Sequence, residues 1–168
     1  MQNLLNVSAP QFYRNDRETL YRCLLITDEA VCIIDYENPG PPIMLPTEFF
    51  LVLTREEVPE GFFPATKPNA KLLAAMDRKY AVIKTLINDP RNIYDKKYRD
   101  EKSHDVEDSF GKEYYPTKRG ISRRTILEWY FKYLAKGEMG LCPKVRKCKK
   151  KELTDDQKNF RWAINKFF

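Results

Sequence analysis

The period of the apolar residues changes several times along this chain, and each change predicts a different element. Leu20-Tyr-Arg-Cys-Leu-Leu-Ile-Thr27 and Ala30-Val-Cys-Ile-Ile-Asp-Tyr36 are β-branched and aromatic runs around Asp28-Glu29, the pattern of a β-hairpin. Gln11-Phe-Tyr13 adds a strand ahead of it. Ile43-Met-Leu45 adds a short one between the structure-breaking Asn38-Pro-Gly-Pro-Pro42 and Pro46. Thr47 is placed to cap a short helix through Phe49, Phe50 and Leu53, which ends before Pro59-Glu-Gly61 and plugs one end of the sheet. So small a sheet does not stand alone, which predicts a minimal β-barrel-like module or sandwich closed by that helix over residues 1–66.

Beyond Pro64 to Pro68 the period becomes helical. Leu72, Met76, Tyr80, Ile83 and Ile87 recur at three and four residues and form one face of a helix ending before Pro90. Asp95 to Lys112 is very polar, but Tyr98, Val106 and Phe110 fall on a compatible stripe, so a second helix is expected there. After Pro116 and Gly120, Ser122 is an N-cap for a third helix. Ile126, Trp129, Tyr130, Tyr133 and Leu134 share one side of it, and Gly137 stands just past its end. Gly140-Leu-Cys-Pro143 reads as a turn and Lys144 to Lys151 as a basic linker. Thr154-Asp-Asp-Gln157 is a capping box that opens a helix through Phe160, Trp162, Ala163, Ile164 and Phe167. That last pattern runs into Phe168 with no closing element, as expected of a piece of a longer protein. The fold class expected is α+β. A β-rich module with one short helix spans 1–66, an all-α three-helix domain 67–143, and the start of a further helical unit 144–168.

Charge sharpens this division. The net charge is +6, but residues 1–66 hold 4 basic and 10 acidic side chains, whereas residues 121–151 hold 10 basic and 2 acidic. So sharp a polarity points to a polyanion partner for the second half, with nucleic acid ahead of an anionic membrane. No run approaches the eighteen or so apolar residues of a membrane span, and Met1-Gln2-Asn3-Leu4-Leu5-Asn6 lacks the features of a signal peptide, which predicts an intracellular protein. Cys23, Cys32, Cys142 and Cys148 have no metal-like spacing, and His104 is the only histidine, so four free thiols are expected rather than a zinc site. Asp105, Glu107 and Asp108 read as the solvated face of a polar helix. His104 has no Cys or Ser nucleophile nearby, and no glycine-rich phosphate loop occurs, so this chain is not expected to be an enzyme.

Three helices with a glycine-containing turn before the third are the pattern of a helix-turn-helix, whose last helix offers its first turns to base edges in the major groove. Those turns carry Ser122, Arg123, Arg124, Thr125 and Glu128. Arg123 and Arg124 are the residues suited to guanine O6 and N7 or to phosphate, and Ser122 and Thr125 to phosphate or bases. Lys132 and Lys136 would follow the backbone. Lys144, Arg146, Lys147, Lys149, Lys150 and Lys151 would extend the contact toward a second DNA-binding unit. The structural alternative is a solvated basic face on an ordinary packed helix.

Ile121-Ser-Arg-Arg-Thr-Ile-Leu-Glu-Trp-Tyr-Phe-Lys-Tyr-Leu-Ala-Lys-Gly137, followed by Gly140-Leu-x-Pro143, resembles the N-terminal helix-turn-helix of TnsB-type transposases, relatives of the phage Mu transposase. Tyr21-Arg-x-Leu-x-Ile26, the proline-rich turn, the short helix before Glu60-Gly61 and Arg78-Lys-Tyr-x-x-Ile-x-x-Leu-Ile87 are similar to that family's N-terminal module and first helix, in the same order. The resemblance covers nearly the whole chain and rests on order and spacing. It implies sequence-specific binding of transposon-end DNA by part of a transposase that joins 3′ ends to target DNA. The DDE triad and divalent metal, Mg, would belong to a catalytic domain outside this chain, and no cofactor is expected within it. The implied setting is the prokaryotic cytoplasm near the nucleoid, with double-stranded DNA and other transposition proteins or protomers as partners and no membrane. Glu128, where relatives carry a basic residue, is expected to accept from a cytosine N4 or, by preference, to pair with Lys132. Phe131 stands where relatives often carry a charge and would interrupt the basic face. The alternative is a protein-interaction or assembly module, motivated by the acidic β-rich segment; single-strand binding ranks third.

Overall fold

The predicted hairpin is the centre of a larger sheet. β1 (Gln11–Arg14), β2 (Leu20–Ile26), β3 (Ala30–Asp35), β4 (Ile43–Pro46) and β5 (Thr54–Glu56) pair antiparallel in the order β4-β3-β2-β1-β5. The computed structural model, which describes residues 10–64, 68–110 and 120–143, is α+β. The sheet is open: β4 and β5 are its two edges, so the expected barrel is not closed. β5 was not anticipated, because Thr54-Arg55-Glu56 has no apolar alternation. It exists because it pairs with β1, Phe12 opposite Glu56, and because Glu56 accepts from Arg14 Nε at 3.0 Å.

A bulge in β2 decides which residues face which way. The register with β3 shifts between Cys23 and Leu25, so Leu24 and Leu25 both join the helix-side core although they are consecutive. Cys23, Val31 and Ile33 face the other side, where Tyr13, Tyr21 and Leu45 join them. α1 (Thr47–Phe50) packs on this outer face rather than plugging an end: the Phe50 ring lies 4.4 Å from that of Tyr13, and Leu53 enters the same cluster. Thr47 is not its cap. The N-cap is Pro46, and the Thr47 hydroxyl donates to the Asp28 carbonyl at 3.2 Å, tying α1 to the hairpin turn.

On the inner face lie α2 (Ala70–Ile87), α3 (Arg91–Tyr94), α4 (Lys96–Phe110) and α5 (Arg123–Lys136), followed by a 3-10 turn, Gly137–Leu141. α2, α4 and α5 pack on one another, and α5 also reaches β2 and β3. A single cluster therefore runs from Leu24, Cys32 and Ile34 through Val82, Leu86 and Val106 to Ile126 and Tyr130. Two cations are spent inside the fold. Arg22 donates to the Leu134 carbonyl at 2.8 Å and stacks on Phe62, clamping β2 to the end of α5; burial lowers its pKa, against the favourable influence of Tyr133, Cys23 and Tyr36. Arg99, which is buried, donates to the carbonyls of Asn92 and Ile93 at 2.8 and 3.2 Å, satisfying the end of α3, and lies over the Phe131 ring. Gly137 ends α5 at φ 60°, and at Gly140 a Cβ would collide with the Lys132 carbonyl, so the 3-10 turn folds back against α5 only with glycine there.

Candidate nucleic-acid interface

The start of α5 is built as its sequence implies. Ser122 is the N-cap, its Oγ accepting from the Thr125 N–H at 3.4 Å and meeting Thr125 Oγ1 at 3.1 Å. Ser122 and Arg124 are exposed, and Arg123 and Thr125 half-buried. Arg123 is held from α4: its N–H donates to Glu107 Oε1 at 2.9 Å, and its Nη1 lies 2.9 Å from His104 Nε2. With Arg123 as donor, His104 must accept through Nε2 and carry its proton on Nδ1, which faces Glu107 Oε2 at 3.6 Å. Glu107 is therefore a partner of α5 rather than part of a merely solvated face. Asp105 does stay on the surface, pairing with Lys102 at 3.0 Å. The His104–Glu107–Arg123 contact spans 16 and 19 residues of sequence, and no local pattern announces it.

Further along α5 the exposed strip narrows. Glu128 and Lys132 form an i,i+4 ion pair, so any base contact by Glu128 must break it. Lys136 lies over the Tyr36 ring, 5.0 Å from its centroid, and is half-buried. Phe131 does not interrupt a surface, because it is buried with Tyr130, Leu134 and Ala135. Lys79 on α2, which no sequence signal singled out, lies over the Trp129 ring and donates to the Leu141 carbonyl at 2.8 Å. Burial, then the nearby charge of Lys132, lowers its pKa. It adds positive potential beside Lys132 while one of its three N–H donors is committed to the Leu141 carbonyl. Lys144, Arg146, Lys147, Lys149, Lys150 and Lys151 lie outside the described residues, as do Cys148, the capping box at Thr154 and the helix expected after it.

Compared with known proteins, the chain matches no protein-family model and no curated protein. The geometry therefore carries the functional argument. α4 is described to Phe110 and α5 from Arg123, and residues 111–119 between them lie outside the described residues, so the turn of a helix-turn-helix is not among the described features. A cleft of about 280 Å³ between α2 and the 3-10 turn is lined by Leu73, Met76, Asp77, Tyr80, Glu138 and Leu141, and its two carboxylates oppose phosphate binding. Among the described residues no cluster of His, Cys, Asp and Glu could hold a metal, and no helix is long and apolar enough to cross a membrane. Cys23 and Cys32 are buried free thiols and Cys142 a half-buried one.

Proposed function

We propose that this chain binds double-stranded DNA sequence-specifically, as the end-binding part of a TnsB-type transposase, and that α5 is its reading helix. The observation that carries the reading is the first turn of α5. The Ser122-capped helix start presents exposed Arg124 with Arg123 beside it, so the cationic side chains and the macrodipole, rather than the Arg123 and Thr125 N–H groups already held by Glu107 and Ser122, are what a phosphate would meet. The net charge of +8 over residues 121–151 and the resemblance to that family support the same conclusion. Strand transfer, with its magnesium ions, then belongs to a catalytic domain outside this chain.

The test is fluorescence anisotropy on a duplex selected from a random library by the full chain. Arg123→Ala/Arg124→Ala should weaken binding by roughly tenfold or more and reduce the salt slope by about two, one for each lost phosphate or base contact. Unchanged affinity and slope would remove α5 from the interface. A second reading, an interaction or assembly module, is favoured by one observation: Phe49, Leu51 and Val52 stand in solvent on the acidic β-rich half.

A further inference from the structure

The outer face of the sheet is incompletely covered. α1 and the turn after it bury Phe50 and Leu53 against it, but they leave Phe49 63%, Leu51 78% and Val52 69% exposed. Ile26 and Ile43 are about half exposed. They stand opposite Val31 and Ile33 respectively, so they point to this same outer face. Large apolar side chains gathered on one face of a small domain mark a contact surface. The rim is acidic. Asp28 and Glu29 form the hairpin turn to which Thr47 is tied by hydrogen bonds from its N–H and hydroxyl, and Glu48 follows on α1.

We propose that this face docks the basic, amphipathic stretch 144–168 of the chain itself. The choice of occupant follows from charge. An acidic rim opposes DNA and anionic bilayers, and it opposes the same face of a second copy. Residues 1–66 sum to −6, from 4 basic and 10 acidic side chains; residues 144–168 sum to +6, from 9 basic and 3 acidic. Within that stretch Phe160, Ala163, Ile164 and Phe167 recur at the spacing of a helix stripe, with Lys158, Arg161 and Lys166 among them. An apolar stripe flanked by cations is the complement of an apolar face rimmed by Asp28, Glu29 and Glu48. The inference rests on the second reading, the interaction module, and not on DNA binding. It adds that docked lysines are withheld from phosphate.

The experiment uses the full chain without DNA. Carbodiimide coupling joins carboxylates to lysines in contact, so mass spectrometry should find Asp28, Glu29 or Glu48 joined to Lys149, Lys150, Lys151, Lys158 or Lys166. Phe49→Ser/Leu51→Ser/Val52→Ser alters exposed positions only, keeps an unchanged melting curve and should cut the yield roughly tenfold, as loss of central apolar anchors does. Mixing isotopically heavy and light chains tells a second copy's stretch from the chain's own: links within one chain support the proposal, and links found only between heavy and light chains overturn it. Absence of these links, or a yield untouched by the triple substitution, overturns it. Light scattering on the same variant keeps the second reading separate: assembly altered without such links means that the face binds something else, and assembly unaltered as well means that it is no interaction surface.

Discussion

The two halves of α5 share one helix and one apolar rhythm, yet they sit in different surroundings. From Ser122 to Glu128 the helix has α4 on one side and solvent on the other, and its polar groups are capped, paired or free to meet a ligand. From Tyr130 to Ala135 it passes between α2, α4 and the inner face of the sheet, and Tyr130, Phe131, Leu134 and Ala135 are all buried. The difference teaches where the helix can be altered. Its second half belongs to the core of the whole fold, and its first half is a platform held in place by that core.

The largest effect should come from Tyr130→Ala, which empties a fully buried site where helices and sheet meet. It should lower unfolding free energy in a urea titration by about 3–5 kcal/mol. Tyr130→Phe sharpens the point. The Tyr130 hydroxyl is buried with no hydrogen-bond partner among the described residues, so removing it should leave stability unchanged or raise it by about 1 kcal/mol. A loss instead would reveal a hidden partner.

Arg22→Met keeps the apolar stem but removes the donor to the Leu134 carbonyl; about 1.5–3 kcal/mol should be lost, because a charged hydrogen bond to a half-buried carbonyl is forfeited. The same melts across pH test the core beneath the second half of α5. Burial pushes the Cys32 thiol from its ordinary 9.0 up to about 12, so the folded state holds that proton more tightly than the unfolded chain. The resulting stabilisation is complete below pH 9 and should decline as the pH climbs toward 12, whereas Cys32→Ala should flatten that part of the profile.

For the first half of α5 the expected signature is reversed. Arg124→Ala should move the urea midpoint by no more than about 0.5 kcal/mol equivalent while weakening duplex binding; a large stability loss with binding intact would invert the comparison. The smallest effect belongs to Glu128→Gln. An exposed i,i+4 pair contributes about 0.3–0.5 kcal/mol, and freeing Lys132 from it should steepen the salt dependence of DNA binding by about one.

Much of this architecture was readable from pattern alone, and the exceptions have physical causes. Leu20–Ile26 and Ala30–Asp35 declared themselves as a hairpin through β-branched runs around a polar turn, and α5 through its Ser122 cap and Gly137 stop. Thr54–Glu56 did not, since its strand character comes from β1 and not from its own side chains. Thr47 misled as a cap, because the Asp28 carbonyl offered its hydroxyl a tertiary partner. At the candidate site, Arg123 and Arg124 were legible as cations at a helix start. The burial of Phe131 was not, because helical periodicity alone does not reveal that α4 lays Arg99 over its ring.

Local chemistry, then, determined that the hairpin strands and the helices α2, α4 and α5 form, where α5 begins and ends, and that one half of the chain is acidic and the other basic. These follow from side-chain branching, capping groups and formal charge, which act within a few residues. Only the tertiary structure decided that the sheet stays open, that the bulge in β2 turns both Leu24 and Leu25 toward the helices, and that His104 and Glu107 grip Arg123. Each of these depends on groups far apart in sequence meeting in space, and no local pattern records such a meeting.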